Sequence, residues 1–224
     1  MLRNPNSLRL ALPAFIFLEL IGFLIIYTDY THRVSSLQKA AIQNLHNQYF
    51  ATLNSYSLLT NTIFQEVIDR PEVTVILKEA YSSNDSKILA INRGKLFARL
   101  SDTYQRLVDK GFRQFQFHLP NGISFLRFHM PSKFGDNLFE TRASIRIVNT
   151  KKTKVEGFEV GPGHSGFRFV FPITYEGLHL GSAELGVSFD ALRDSLEKLY
   201  APQTFALMIK NYSFAIFGKP VSLV

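Results

Sequence analysis

The 224-residue sequence contains no cysteine. That excludes a disulfide, a thiolate nucleophile and any cysteine-ligated zinc site, and it suits an extracytoplasmic compartment without requiring one. No serine sits in a G-x-S-x-G elbow; Ser165 in particular lacks one, so a hydrolase reading is weak. The six histidines include no H-x-x-x-H pair. His118 and His129 share an expected sheet face with Arg127, a cation that would repel a metal ion. No paired acid and base stand out either. The residues present therefore read as non-enzymatic, with no metal and no cofactor. Gly161-Pro162-Gly163-His164-Ser165-Gly166 spells G-x-G-x-x-G, but a strand follows it instead of a helix and Pro162 removes a donor. A dinucleotide needs the helix N-terminus that is missing. The net charge is +7, yet the basic residues are scattered. Their densest run, Lys151-Lys152-Thr153-Lys154, falls in an expected turn and reads as a solvated loop, not a nucleic-acid surface.

What is abundant is apolar sequence, at 46% of residues, too much for a disordered chain of this charge. Leu8 to Tyr27 is almost unbroken. About 20 helical residues rise about 30 Å, the thickness of the hydrocarbon core. Glu19 interrupts the run. A central acid costs about 3 kcal/mol on insertion scales against about 0.3–0.6 gained per Leu, Ile or Phe, so insertion still wins. Glu19 is either a paired residue of a helix interface or a tolerated charge. Tyr27-Thr28-Asp29-Tyr30 offers no small-x-small cleavage site, so the segment reads as an uncleaved anchor, not a signal peptide. Arg3 and Arg9 precede it, which places the N-terminus in the cytoplasm and the bulk of the chain outside.

Leu37, Leu45, Tyr49, Leu53, Tyr56, Ile63 and Val67 recur at helical steps and predict one long amphipathic helix from about Ser35 to Asp69, ended by Pro71. Its stripe is expected to pack partly on the domain and partly on a second copy of itself. Ser83-Asn84-Asp85 signals a cap. Ile88, Ile91, Leu96, Leu100, Tyr104 and Leu107 then mark a second helix closed by Gly111.

Period-two alternation follows, and with it a sheet. Asn121-Gly122 is a strong hairpin signal. A two-residue turn there puts Phe115, Phe117 and Leu119 on a face with Ser124, Leu126 and Phe128. The other face carries Gln114, Gln116, His118, Phe125, Arg127 and His129. That second face either meets solvent or lines a wet cavity, and polar groups over an apolar floor favour the cavity. Leu138 to Asn149 is a short helix or a lid. A later hairpin turns at Glu176-Gly177; on that register Arg168 and Glu184 point to opposite faces, unless a one-residue bulge reverses them. Asp190 to Tyr200 is an amphipathic helix, and Thr204 to Tyr212 reads as a further strand. Arg127, Arg142 and Arg168 sit on elements otherwise apolar, and each guanidinium matches a carboxylate fork. Asp136, Glu159 and Glu184 lie close enough to neutralise them or to bind an amine.

Three motifs in order, HLPNGISFLRFHMPSKFGDNLFETR, VEGFEVGPGHSGFRFVFPI and HLGSAELGVSF, resemble the double sensory domain of bacterial two-component sensor kinases and chemoreceptors, a member of the Cache group. The match runs from about Gly111 to Phe189. The resemblance implies an α+β fold: a transmembrane helix, a long stalk helix and a PAS-like antiparallel sheet with flanking helices. It divides the chain into a cytoplasmic stub and membrane helix (1–28), a stalk (29–70), a membrane-distal sensory domain (71–200) and the start of a second, truncated module (201–224). Any kinase or cyclase output would lie beyond residue 224. The recurring charged positions of the family match Arg127, His129, Asp136, Arg142, Glu159, Arg168 and Glu184. Six of these, Arg127, His129, Arg142, Glu159, Arg168 and Glu184, with His118 and Phe125 from the polar face, give the expected ligand site, with Arg127 and Arg168 foremost in gripping a carboxylate. The expected partner is a small organic anion or amino acid, bound outside the inner (cytoplasmic) membrane by a homodimer joined through the long helix. A ligand-free interaction domain of the same fold is the alternative.

Overall fold

The computed structural model describes residues 5–160, 165–206 and 214–216, with 5–11 and 214–216 described by backbone alone. The chain divides into two units, residues 1–50 and 51–224. The apolar N-terminal run and the predicted stalk are one unbroken helix, α1 (Pro5–Ile63). It is long and apolar enough to cross a membrane, and Leu12 to Tyr27 leave their large apolar side chains exposed. The predicted stripe splits in two. Leu37 and Leu45 are 70% and 48% exposed, whereas Leu53 and Tyr56 are buried in the second unit. There Tyr56 meets Phe112 edge-on at 5.7 Å and shares a 2.9 Å hydrogen bond with Ser195 Oγ.

Helix α1 relaxes into a single π turn, Phe64–Ile68. Pro71 then does more than end it. With Arg70 extended before it, Pro71 opens α2 (Pro71–Tyr81) at the position where its missing N–H costs nothing. Asp85 caps α3 (Ser86–Val108) by accepting from the Lys87 amide at 2.8 Å. Leu96, Leu100 and Leu107 of the predicted stripe are buried, but Ile88 and Ile91 are exposed.

Strands β1 (Phe112–His118), β2 (Ser124–Arg127), β3 (Val155–Glu159), β4 (Gly166–Tyr175), β5 (Leu178–Ser188) and β6 (Phe214–Ile216) form one antiparallel sheet in the order β2-β1-β5-β4-β3-β6. The predicted turn around 161–163 and most of the strand predicted at 204–212 lie outside the described residues. Helix α4 (Ala143–Lys151) precedes β3, and α5 (Phe189–Leu199) follows β5 with Ser188 as its cap.

One face of the sheet is aromatic. Phe115, Phe117 and Phe128 pack with Phe97 and Tyr104 of α3; the Phe115–Phe128 rings lie 4.7 Å apart. Phe64 stacks on Phe171 at 4.6 Å. Each such buried ring contributes about 1.5–3 kcal/mol from area alone. The opposite face lies under α4, whose Ile145 and Val148 are buried, the latter against Val155 and Val170. Both faces are thus covered, which is why the Arg168–Phe171 alternation is buried throughout.

Two bulges reset the faces expected from simple alternation. The hairpin loop holds three residues, Pro120–Gly122, not two. Leu119 O accepts from the Gly122 amide and Leu119 N donates to Ile123 O, both at 2.9 Å, and Gly122 takes φ +82°, the left-handed residue such a loop requires. Gln116 still opposes Arg127 and Phe117 still opposes Leu126, but His118 opposes Ser124. Ser124 therefore belongs with His118 and not with the aromatic face. The second bulge lies in the β4–β5 ladder, between Ile173 and Thr174. It sets Arg168 opposite Gly186 and Val170 opposite Glu184, so Arg168 and Glu184 share a face after all, as an extra residue would require.

Candidate functional site

Residues directly opposite in a ladder share a face, so the polar face can be read as rows running across the strands. The first row is Ser124, His118, Ser182. The second is Arg127, Gln116, Glu184, Val170, Val155. The third is Gln114, Gly186, Arg168, Gly157. Glu159 lies beyond, opposite Gly166. Helix α4 roofs these rows, and Arg142 stands at its N-cap.

Arg142 joins the roof to the sheet. Its Nε donates to Glu159 at 2.7 Å, and its Nη2 donates to both oxygens of Glu184 at 2.7 and 2.8 Å. Glu159 also accepts from the Ser144 amide at 3.0 Å and from the Ser144 hydroxyl at 2.8 Å. That places its negative charge against the first turn of α4, where the helix dipole favours it. Gln116 Nε2 donates to Glu184 at 2.7 Å. Arg168 lies 3.5 Å from Glu184 and donates to Gln114 Oε1. Glu184 and Arg168 are 0% and 1% exposed. Two guanidiniums and two carboxylates sum to zero charge.

The ionisation states follow from these contacts. Burial would raise the Glu184 carboxyl, but Arg142 and Arg168 outweigh it and hold it down at about 2. Burial likewise opposes the Arg142 charge, and Glu184 with Glu159 more than restores it, pushing the guanidinium upward. For Arg168 burial wins and the shift is downward, with Glu184 only partly compensating. His118 is driven to about 3, first by burial and then by Arg142 and Arg127, against the pull of Glu184 and Asp136; its imidazole is neutral at physiological pH.

Arg127, expected to grip a ligand, instead forms a fork with Asp136, Nη1–Oδ1 2.7 Å and Nη2–Oδ2 2.8 Å, and donates to Lys133 O at 2.8 Å. It thereby ties down the 133–137 segment, which also pairs with the β2 edge: Ser124 N donates to Asp136 O at 2.9 Å and Gly135 N to Ser124 O at 2.8 Å. The Arg127 bond is the largest influence on Asp136 and lowers its carboxyl. Phe125, also expected at the site, is buried beside this segment. The Arg93 guanidinium lies 5.3 Å from its ring and 3.6 Å from that of Phe134, and Arg93 Nε donates to Phe125 O at 2.7 Å. His129 falls in the turn after β2, partly buried, because the strand ends at Arg127 and alternation stops there. The structure thus gathers Arg142, Arg168, Glu159, Glu184 and His118 under α4, and places Arg127, Phe125 and His129 at the β2 edge.

A second polar chain runs beside the first. Asn149 Nδ2 donates to Ile145 O at 2.8 Å and to Ser182 Oγ at 2.9 Å, and Asn149 Oδ1 meets His179 Nε2 at 2.9 Å. Ser182 Oγ in turn lies 3.0 Å from His118 Nδ1. Ser144, Ser182 and Asn149 were not expected from sequence. Gln114 and Gln116 were placed on this face by their alternation with His118, but not as partners of the charges.

Gly186 makes the third row possible. A Cβ there would stand 2.5 Å from Arg168 Nη1 and 2.6 Å from Gln114 Oε1. Gly186→Ala is therefore expected to destabilise the fold by about 1–3 kcal/mol through forced displacement of that buried bond, read as a lower Tm; an unchanged Tm would mean that Arg168 has another place to go.

The family described as the double sensory domain of two-component sensor kinases matches residues 42–207. The chain belongs to that family. Among solved structures, a domain of a sensory box/GGDEF family protein from Vibrio parahaemolyticus is 17% identical, with a TM-score of 0.47, over 73% of this chain and 64% of that one. The V. cholerae histidine kinase DctB sensor domain is 16% identical, TM-score 0.46, over 71% and 61%. The sensory domain of the Campylobacter jejuni chemoreceptor Tlp3, solved with isoleucine bound, is 14% identical, TM-score 0.46, over 73% and 66%. The chain spans less than two-thirds of each of these structures. No curated protein matches the chain. The double sensory family accounts for the long helix, the antiparallel sheet and its flanking helices.

Proposed function

We propose that this double sensory domain is the extracytoplasmic ligand-sensing region of a membrane-anchored receptor of the sensor-kinase, cyclase or chemoreceptor type. Leu8–Tyr27 is its span in the inner membrane, the continuous α1 its link to a second copy, and 201–224 the start of a second module. The observation that supports a sensing role is the way the roof is fastened. Arg142 holds α4 to the sheet through two buried carboxylates, and Arg127 holds the 133–137 segment through a third. Ionic contacts of this kind can be exchanged for a ligand's own charges, whereas a purely apolar roof cannot. Because the four charges under α4 balance, a simple anion that took Arg142 would strand a buried glutamate. An amino acid brings a carboxylate and an ammonium together and keeps the balance, so it suits the face better than a bare organic anion. Exchange at Arg142 would move α4 relative to the sheet, a two-state change biased by whichever state binds better.

The ligand-free reading has one observation in its favour: the face is filled and its guanidiniums already have carboxylates. Thermal melting of the full chain in detergent micelles, against the common amino acids and short organic acids, separates the two. At one hundred times Kd a ligand stabilises by about 2.7 kcal/mol, a Tm rise of roughly 5–10 °C for a domain of this size. A panel that leaves Tm unmoved favours the ligand-free domain.

A further inference from the structure

The first row of the polar face holds two buried groups without a partner. His118 is 2% exposed and Ser124 1% exposed, and among the described residues neither His118 Nε2 nor Ser124 Oγ has a hydrogen-bond partner. They are register partners across β1 and β2, which puts their Cβ atoms about 5 Å apart on the same face. An orphaned buried polar atom is costly, and two side by side call for an occupant.

The hydrogen-bond chain behind His118 bears on what that occupant offers. Asn149 Nδ2 must be the amide nitrogen, since it bonds the Ile145 carbonyl. It therefore donates to Ser182 Oγ, and Asn149 Oδ1 accepts from His179 Nε2. Ser182 Oγ, already accepting from Asn149, has its own proton to give to His118 Nδ1, 3.0 Å away. The neutral imidazole then carries its hydrogen on Nε2, pointing at no acceptor. Beside it the Ser124 hydroxyl is a second donor. The cations nearest this row are already matched, Arg127 by Asp136 and Arg142 by Glu184. An ionised oxygen placed here would lose its water without gaining a free cation; an uncharged carbonyl or amide oxygen would not.

Resting on the sensing reading above, we infer that His118 and Ser124 form a two-donor subsite for a side-chain amide oxygen of an amino-acid ligand. Ser182 and Glu184 are two residues apart on β5, so this row stands about 7 Å from the charge network. That spacing is comparable with the length of a glutamine or asparagine from its charged end to its amide. The zwitterionic end would exchange with the Arg142–Glu184 network while the amide oxygen takes the donors.

The probes are glutamine, asparagine, glutamate, aspartate and leucine, tested by thermal melting of the full chain in micelles. Glutamine or asparagine is expected to raise Tm more than its acid counterpart or leucine. Ser124→Ala is expected to weaken the amide probe about ten-fold while leaving the ligand-free Tm equal or higher, because an orphaned donor has been removed. His118→Phe repeats the test from the other donor. In the wild-type chain, histidine 15N shifts should report the Nε2–H tautomer for His118. Amide and acid probes of equal effect, a Ser124→Ala chain that binds the amide as tightly as wild type, or an Nδ1–H tautomer would each overturn the subsite. If these probes fail while another amino acid of the wider panel stabilises the chain, the subsite falls and the sensing reading stands.

Discussion

Replacing Glu184 by alanine is expected to cost about 3–5 kcal/mol of folding free energy, the usual penalty for breaking a buried ion pair from one side. The variant takes Glu184 from Arg142, which keeps Glu159, removes the carboxylate 3.5 Å from Arg168, and strips Gln116 of its Glu184 acceptor. All three groups are out of water, so none can recover its loss by hydration. The corresponding fall in Tm is roughly 6–20 °C for a domain of this size. Glu184→Gln keeps an acceptor in place and should lose less. Asp190→Ala, which removes an exposed partner of Arg193, should lose less than about 1 kcal/mol and serves as the reference. A Glu184→Ala chain that melts within a degree or two of wild type would mean that water already reaches the network, and the closed face described here would be wrong. The experiment bears on function as well as stability. A network that fastens α4 this firmly can act as a switch only if something replaces its contacts one for one.

How much of this could be read from the chain alone varied with the physics behind each feature. The apolar run and the α1 stripe were legible because helical periodicity is repeated over many residues and survives one misfit. The strands and the Glu176-Gly177 turn were legible for the same reason at period two. Pro71 was read only as a stop, although its fixed φ suits a helix start equally well, and α2 was missed. The two bulges were invisible. An inserted residue such as Phe125 or Leu180 is apolar on either register, so the sequence pattern does not change while every partner beyond it does. That is why Ser124 was placed with the phenylalanines and why Arg168 and Glu184 were set on opposite faces. The charged residues themselves were found, since Arg and Glu inside apolar strands are conspicuous. Their pairing was not legible, because Arg142 meets Glu159 and Glu184 across 17 and 42 residues of chain. Ser182 and Asn149 carried no signal at all; small polar residues are common everywhere and mean something only once the fold lines them up.

Acid should unfold this domain earlier than carboxylate titration alone would. The unfolded chain takes up a proton on His118 near pH 6.5, whereas the folded imidazole, buried first and then flanked by Arg142 and Arg127, resists until about pH 3. Between those values the unfolded state binds more protons, so stability falls as pH falls, by about 1.4 kcal/mol per pH unit from this one group. Glu184 acts with the same sign lower down. Its contribution is complete above its unfolded value of 4.5 and is lost as pH drops toward about 2. His179, lowered by burial and then by Lys152, adds in the His118 direction. Wild-type Tm should therefore begin to decline below pH 6.5, well above the carboxylate range, and steepen below 4.5. His118→Gln should be flatter from pH 6.5 down to about 3 and rejoin the wild-type slope only below that. Equal slopes for the two chains, or a wild-type Tm constant from pH 7 to 5, would show that His118 is not held neutral by its surroundings. The coupling reaches past stability. A protonated imidazole must donate from Nδ1, so Ser182 could no longer give its proton to His118, and Ser182 would then accept from both His118 and Asn149. The same proton that destabilises the fold thus reverses the Ser182–His118 bond, while Asn149 still donates to Ser182 and α4 keeps this uncharged attachment to the sheet beside the charged one at Arg142.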